Sequence, residues 1–147
     1  MEIGGLPLHP LVIHAAVVLT PVAALCALAY AVVGRWRDRL RWPMGVLAVL
    51  ATASVVAAYL TGRNLLESWP ALGTKPLVVT HEDRATLLLW VALGFGAVSV
   101  VATWLHVRAG AVQVVLRVAL TVIALAVLVQ VVRTGDAGSR AVWEVLG

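Results

Sequence analysis

The sequence predicts an all-α integral membrane protein, an antiparallel four-helix bundle with both termini outside. Three observations carry that expectation. Of the 147 residues 62% are hydrophobic and only 12% charged, which leaves more apolar surface than a soluble chain of this length can bury. Four apolar runs, at about residues 11–33, 43–60, 85–107 and 111–132, approach or exceed the ~20 residues needed to cross a bilayer as a helix. Arginines crowd one set of connections while acids crowd the other, the asymmetry that orients membrane helices. Runs this long and continuous are helices and not barrel strands, because a lipid-exposed backbone must satisfy its hydrogen bonds within its own segment.

The first run opens with Leu6-Pro7-Leu8-His9-Pro10-Leu11-Val12-Ile13-His14. Pro10 suits the first position of a helix, where its missing N–H costs nothing, so His9 is expected at the cap and His14 about a turn inside. Thr20-Pro21 is expected to bend this helix. Ala29-Tyr30-Ala31 has the small-x-small form of a signal cleavage site, yet only Glu2 precedes the core and the arginines follow it, so the run is expected to be retained with the N-terminus exported. The single Cys26 lies within the run, so packing and not a disulfide is its expected role.

Gly34 to Trp42 carries four arginines and two tryptophans and is expected on the cytoplasmic side, with Arg108 and Arg117 flanking the turn between the third and fourth helices. Six of the seven acids, Glu2, Glu67, Glu82, Asp83, Asp136 and Glu144, then fall outside. Residues 61–80 form the only long connection, expected to hold a short interfacial helix with Arg63 and Glu67 four apart, then turns at Pro70, Gly73 and Pro76. Thr80-His81-Glu82-Asp83 has the capping-box form ahead of an apolar run and would place His81 at the start of the third helix. Gly94 and Gly96 allow close helix approach. Gln130 is expected to share a face with Arg133, Gly135 to stop the fourth helix, and residues 139–146 to form a short interfacial helix carrying Trp143.

With the termini outside, the first and third helices begin and the fourth ends on one side, so His9, His14, His81, Glu82, Arg133 and Asp136 converge in depth. A cluster drawn from three helices is how bundles build metal and cofactor sites. Two chemistries fit: haem b between His14 and His81, or a divalent transition metal held by His9, His14, His81 and Asp136, with Glu82, Gln130 and Arg133 around the ligands. Histidines that merely cap helices are the plain alternative. His106, a full helix length away, is expected to be an interfacial residue beside Trp104 and Arg108. The net charge of +4 is read as topological, not as a nucleic-acid footprint. No nucleophile with its base, phosphate loop, Cys-x-x-Cys or Cys-x-x-Cys-His is present, so no enzymatic activity of its own is expected.

The His9–His14 opening, Thr61-Gly62, His81 and Arg133-Thr134-Gly135-Asp136-x-Gly138 together resemble the bacterial four-helix membrane family designated domain of unknown function 2231, over essentially the whole chain. The resemblance implies membrane redox chemistry, since relatives are joined to Rieske iron-sulfur or cytochrome-type modules. It also implies histidine in many members where this chain has Asp136, which removes a haem ligand from the fourth helix and leaves aspartate to bind a hard metal or orient a histidine.

The leading expectation is therefore a small subunit of a bacterial inner membrane whose outer histidines bind haem b or a transition metal for electron transfer. Its expected partners are the bilayer, a redox or respiratory membrane partner and, as an option, a second copy. The rival expectation is a cofactor-free accessory subunit of a larger membrane complex. A small-solute or metal transporter, suggested by the proline in the first helix, is a third; the lack of acids within the spans weakens its proton-coupled form.

Overall fold

The computed structural model describes residues 2–3 and 6–146. After a two-residue antiparallel pairing of Glu2–Ile3 with Leu6–Pro7, four helices make up nearly all of the chain: α1 (Leu8–Val32), α2 (Arg37–Ser68), α3 (Pro76–Trp104) and α4 (Ala111–Leu146). All four contain stretches long and apolar enough to cross a membrane. The side chains of Glu2, Pro10 and Glu144, for which the sequence suggests roles, lie outside the described ones.

The interior is built from small residues. Ala23, Ala24, Ala27, Ala48, Ala51, Ala92 and Ala124 are fully or almost fully buried, with Phe95, Met44 and Leu120 as the largest enclosed side chains. Large apolar residues such as Leu25, Val32, Trp90 and Val132 are turned outward. A soluble bundle has the reverse distribution; lipid offers no drive to hide Leu or Val, so small residues that let backbones approach occupy the interface. Gly96 meets this description: a Cβ there would lie 2.6 Å from Thr52 Oγ1.

α1 packs on α2 and α4, and α3 packs on the same two, which leaves α1 and α3 diagonal across the bundle. The end contacts give the direction of each helix. His9 near the start of α1 meets Thr61 toward the end of α2; Arg41 near the start of α2 bonds the Thr103 carbonyl at the end of α3; His81 near the start of α3 bonds Thr134 in the second half of α4. Arg117 near the start of α4 bonds the Ala31 carbonyl at the end of α1. Each helix thus places its beginning against the end of a neighbour.

The helices are longer than the apolar runs. α2 continues through residues 61–68 to Ser68, and the connection expected over 61–80 shrinks to the 3-10 turn Pro70–Thr74 and its flanks. Pro76 is the first residue of α3, where its fixed φ and absent N–H suit the position. The capping box is therefore corrected: Thr80 lies inside the helix and returns its hydroxyl to the Pro76 carbonyl at 3.0 Å. α4 likewise runs unbroken through Gly135 and the expected separate tail helix to Leu146. α1 also remains a single helix through Pro21.

Candidate functional site

At the end of the bundle where α1 and α3 begin, two imidazoles are held in the same way by two different helices. His9 stands in the first turn of α1, with Nδ1 3.2 Å from Thr61 Oγ1 on α2. The Thr61 hydroxyl donates its only hydrogen back to the Ala57 and Ala58 carbonyls, at 2.8 and 3.1 Å. Its oxygen accepts from His9 in the tautomer that carries the ring proton on Nδ1, and that tautomer leaves Nε2 with its lone pair. His81 on α3 has Nδ1 3.1 Å from the Thr134 carbonyl on α4. A carbonyl has no proton to give, so Nδ1 of His81 is also the donor and Nε2 again carries the lone pair.

Each ring lies against a glycine of the helix that holds it. A Cβ at Gly62 would meet His9 Cε1 at 2.9 Å, and one at Gly138 would meet His81 Cε1 at 2.9 Å. Any larger residue at either position would displace the ring. Burial pushes the His9 pKa down from its ordinary 6.5; a charge on His81 lowers it further, and the hydrogen bond to the Ala58 carbonyl partly opposes both. His9 is thereby kept neutral, the form that can coordinate.

The remaining residues expected at this site are placed differently. His14 is exposed on α1, in keeping with the five-residue offset that turns it away from the His9 face. Asp136 is exposed and engaged with Arg140 at 3.0 and 3.1 Å. Among the described residues no three of His, Cys, Asp and Glu gather to hold a metal ion, so the four-ligand set His9, His14, His81 and Asp136 does not assemble. Gln130 is buried while Arg133 points outward, so these two do not share a face toward the histidines. Glu82 is half-buried, and its backbone carbonyl accepts from Thr86. The groups that do orient the histidines are Thr61 and Thr134, which the sequence marked only as parts of motifs.

The opposite end holds a second polar assembly that sequence reasoning set aside. His106, just beyond α3, bonds Asp38 Oδ1 through Nε2 at 2.8 Å and the Tyr30 hydroxyl through Nδ1 at 2.9 Å. The Tyr30 hydroxyl is also 3.3 Å from the Ala102 carbonyl. Asp38, His106 and Tyr30 come from α2, the α3–α4 turn and α1, so one network ties three segments together. Tyr30 is buried and Asp38 exposed. Arg37 stacks 5.2 Å over the Tyr30 ring, and Arg117 Nε donates to the Ala31 carbonyl at 2.6 Å.

A bundle of four apolar helices, small residues inside and large ones outside, with histidine-centred polar contacts at its two ends, defines a small polytopic membrane protein that sits in a lipid bilayer. The chain belongs to the predicted membrane protein family designated domain of unknown function 2231, which it matches over residues 5–146. No curated protein and no solved structure matches it.

Proposed function

We propose that the protein is a small electron-transfer subunit of a bacterial cytoplasmic membrane that holds a b-type haem between His9 and His81 near its outer face. One observation carries this reading: both imidazoles turn Nδ1 toward an oxygen of a neighbouring helix, His81 to the Thr134 carbonyl and His9 to the Thr61 hydroxyl, an arrangement in which Nε2 of each ring is the nitrogen left to coordinate. Ligating histidines are held in just this manner, the second nitrogen donating to a carbonyl or other acceptor that fixes tautomer and ring orientation. The diagonal placement of α1 and α3 supports axial ligation from two sides. Two nitrogen donors suit a haem, whereas a divalent metal held by protein alone requires about four ligands.

Bound haem would supply a one-electron couple. The chain's own residues perform the rest. Thr61 and Thr134 hold the rings, and Gly62 and Gly138 give them room. The sidedness of the proposal rests on the arginines of residues 35–41 with Arg108 and Arg117, which favour the cytoplasm for that end and the exterior for the histidine end.

The test is the visible spectrum of the detergent-purified protein, oxidised and dithionite-reduced, before and after haem reconstitution. His9→Ala and His81→Ala should each lose the Soret and reduced α bands while still inserting, and His14→Ala should keep them. Full occupancy in either of the first two variants would overturn the assignment. The second reading, a cofactor-free accessory subunit, is favoured by the fact that the same histidines fasten α1 to α2 and α3 to α4. A sample that stays colourless after reconstitution, and whose thermal stability drops in both histidine variants, would support it instead.

A further inference from the structure

The arginine-rich end carries charge that the protein itself does not neutralise. Arg37 lies against the Gln113 amide oxygen in the orientation of that amide which satisfies both groups, 2.6 Å from one guanidinium nitrogen. Arg41 donates to the Thr103 carbonyl at 2.9 Å and Arg117 to the Ala31 carbonyl at 2.6 Å. All three acceptors are neutral. Asp38, the one carboxylate of this end, is engaged with His106, and among the described residues none of these arginines forms an ion pair. Arg37 Nε is moreover buried with no partner.

Directly beside Arg41 an apolar groove of about 270 Å³ runs along the outer surface between α2 and α3. Its walls include Trp42, Val49, Val100 and Trp104, and Gly45 and Thr103 line it where the two helices are in close contact; a Cβ on Gly45 would stand 2.7 Å from Thr103 Oγ1. Trp42 and Trp104 meet edge to face at 6.4 Å. Arg41 stacks 5.1 Å over Trp42, and its acceptor Thr103 also lines the groove. A cation anchored by neutral groups therefore stands at the head of an apolar channel that opens toward lipid.

We propose that this groove is a binding site for an anionic phospholipid, with one acyl chain lying between α2 and α3 and the headgroup phosphate at Arg41. The uncompensated arginines select the charge, and basic pockets between membrane helices recognise anionic headgroups in this way. The apolar lining selects the chain and excludes a free polar anion. This site is separate from the histidine pair and stands whether or not that pair binds haem.

The experiment is native mass spectrometry of the delipidated protein in mild detergent, offered dioleoylphosphatidylglycerol or dioleoylphosphatidylcholine at equal concentration. The wild type should retain the glycerol lipid about fivefold more, the preference one interfacial arginine confers. Arg41→Gln should erase the preference, Arg41→Lys should keep it, and Val49→Trp, which fills the groove from its lipid side, should reduce retention of both lipids. Equal retention of the two lipids by the wild type would overturn the proposal, and so would unchanged retention in Val49→Trp. Displacement of the bound lipid by equimolar glycerol phosphate would show an anion site without a role for the groove, and would overturn it as well.

Discussion

Gly138→Ala tests whether the helix backbone sets the position of the His81 ring. The added methyl carbon would stand 2.9 Å from Cε1 and 3.2 Å from Nδ1, closer than carbon and nitrogen tolerate, so the ring must move by several tenths of an ångström. That motion draws Nδ1 away from the Thr134 carbonyl, now 3.1 Å distant. Overpacking of this kind costs about 1–3 kcal/mol, while alanine gains about 1 kcal/mol over glycine inside a helix. The net loss of stability is then about 0–2 kcal/mol, a change a small folded domain survives. On the proposed haem assignment, affinity for the group should suffer more, falling about 10–100-fold, the usual consequence of losing the hydrogen bond that orients a ligating histidine. Gly135→Ala is the matched control, because a Cβ there meets nothing within 4 Å and should raise stability by about 1 kcal/mol without touching binding. Haem titration at the Soret band together with thermal melting in detergent reads both quantities. Wild-type affinity in Gly138→Ala would refute the argument that this contact positions the ring.

Three further outcomes follow from the same geometry. His9 is held below its ordinary pKa of 6.5, chiefly by burial and then by the charge of His81, so on acidification the unfolded chain takes up a proton that the folded one refuses. The stability this represents is present above about pH 6.5 and is lost as pH falls toward the depressed folded value; the melting temperature of the wild type should drop more on going from neutral to mildly acidic buffer than that of His9→Gln, and equal drops would count against it. Tyr30→Phe removes the hydroxyl that meets both His106 and the Ala102 carbonyl and should cost about 1–3 kcal/mol in thermal melts, with haem binding at the far end unchanged. Gly96→Ala, which would press on Thr52 Oγ1 at 2.6 Å, should cost about 0–2 kcal/mol after the helix gain of alanine is counted, whereas Gly94→Ala, with only Ile123 at 3.5 Å, should gain about 1 kcal/mol in the same melts, as Gly135→Ala does.

The four spans and their order were legible in the sequence because hydropathy reports directly on which residues lipid will accept. The ends of the helices were not. α2 has 32 residues and α4 has 36, lengths of roughly 48 and 54 Å at about 1.5 Å per residue, against a hydrocarbon core of about 30 Å. Beyond that core a helix needs only its backbone hydrogen bonds and neighbours to pack on, so the polar residues of 61–68 and 133–140 read as loop or tail while remaining helical. Hydropathy measures the bilayer, not the helix, and Gly135 could not end a helix whose next turns still bury Ala137 and Ala141.

The histidine pair was only half legible for a related reason. Topology brought His9 and His81 to one depth, but depth alone does not say which way a side chain faces, and His14 and Asp136 share that depth while remaining exposed. Tests of helical spacing compare residues three or four apart, whereas the partner of each histidine lies on the next helix. The useful signal is a longer repeat: His9 finds Thr61 at a separation of 52 residues, and His81 finds Thr134 at 53. Each helical hairpin thus carries the same device, a histidine near the start of its first helix bonded to a Thr-Gly step on its second. The halves differ in detail, since one threonine offers its hydroxyl and the other its carbonyl, and the ring rests on Gly62 in one half but on Gly138, four residues past Thr134, in the other. Strict sequence matching blurs across that difference, yet the physical device is shared: in each half the histidine of the first helix reaches across to the second and fastens the hairpin near its open end.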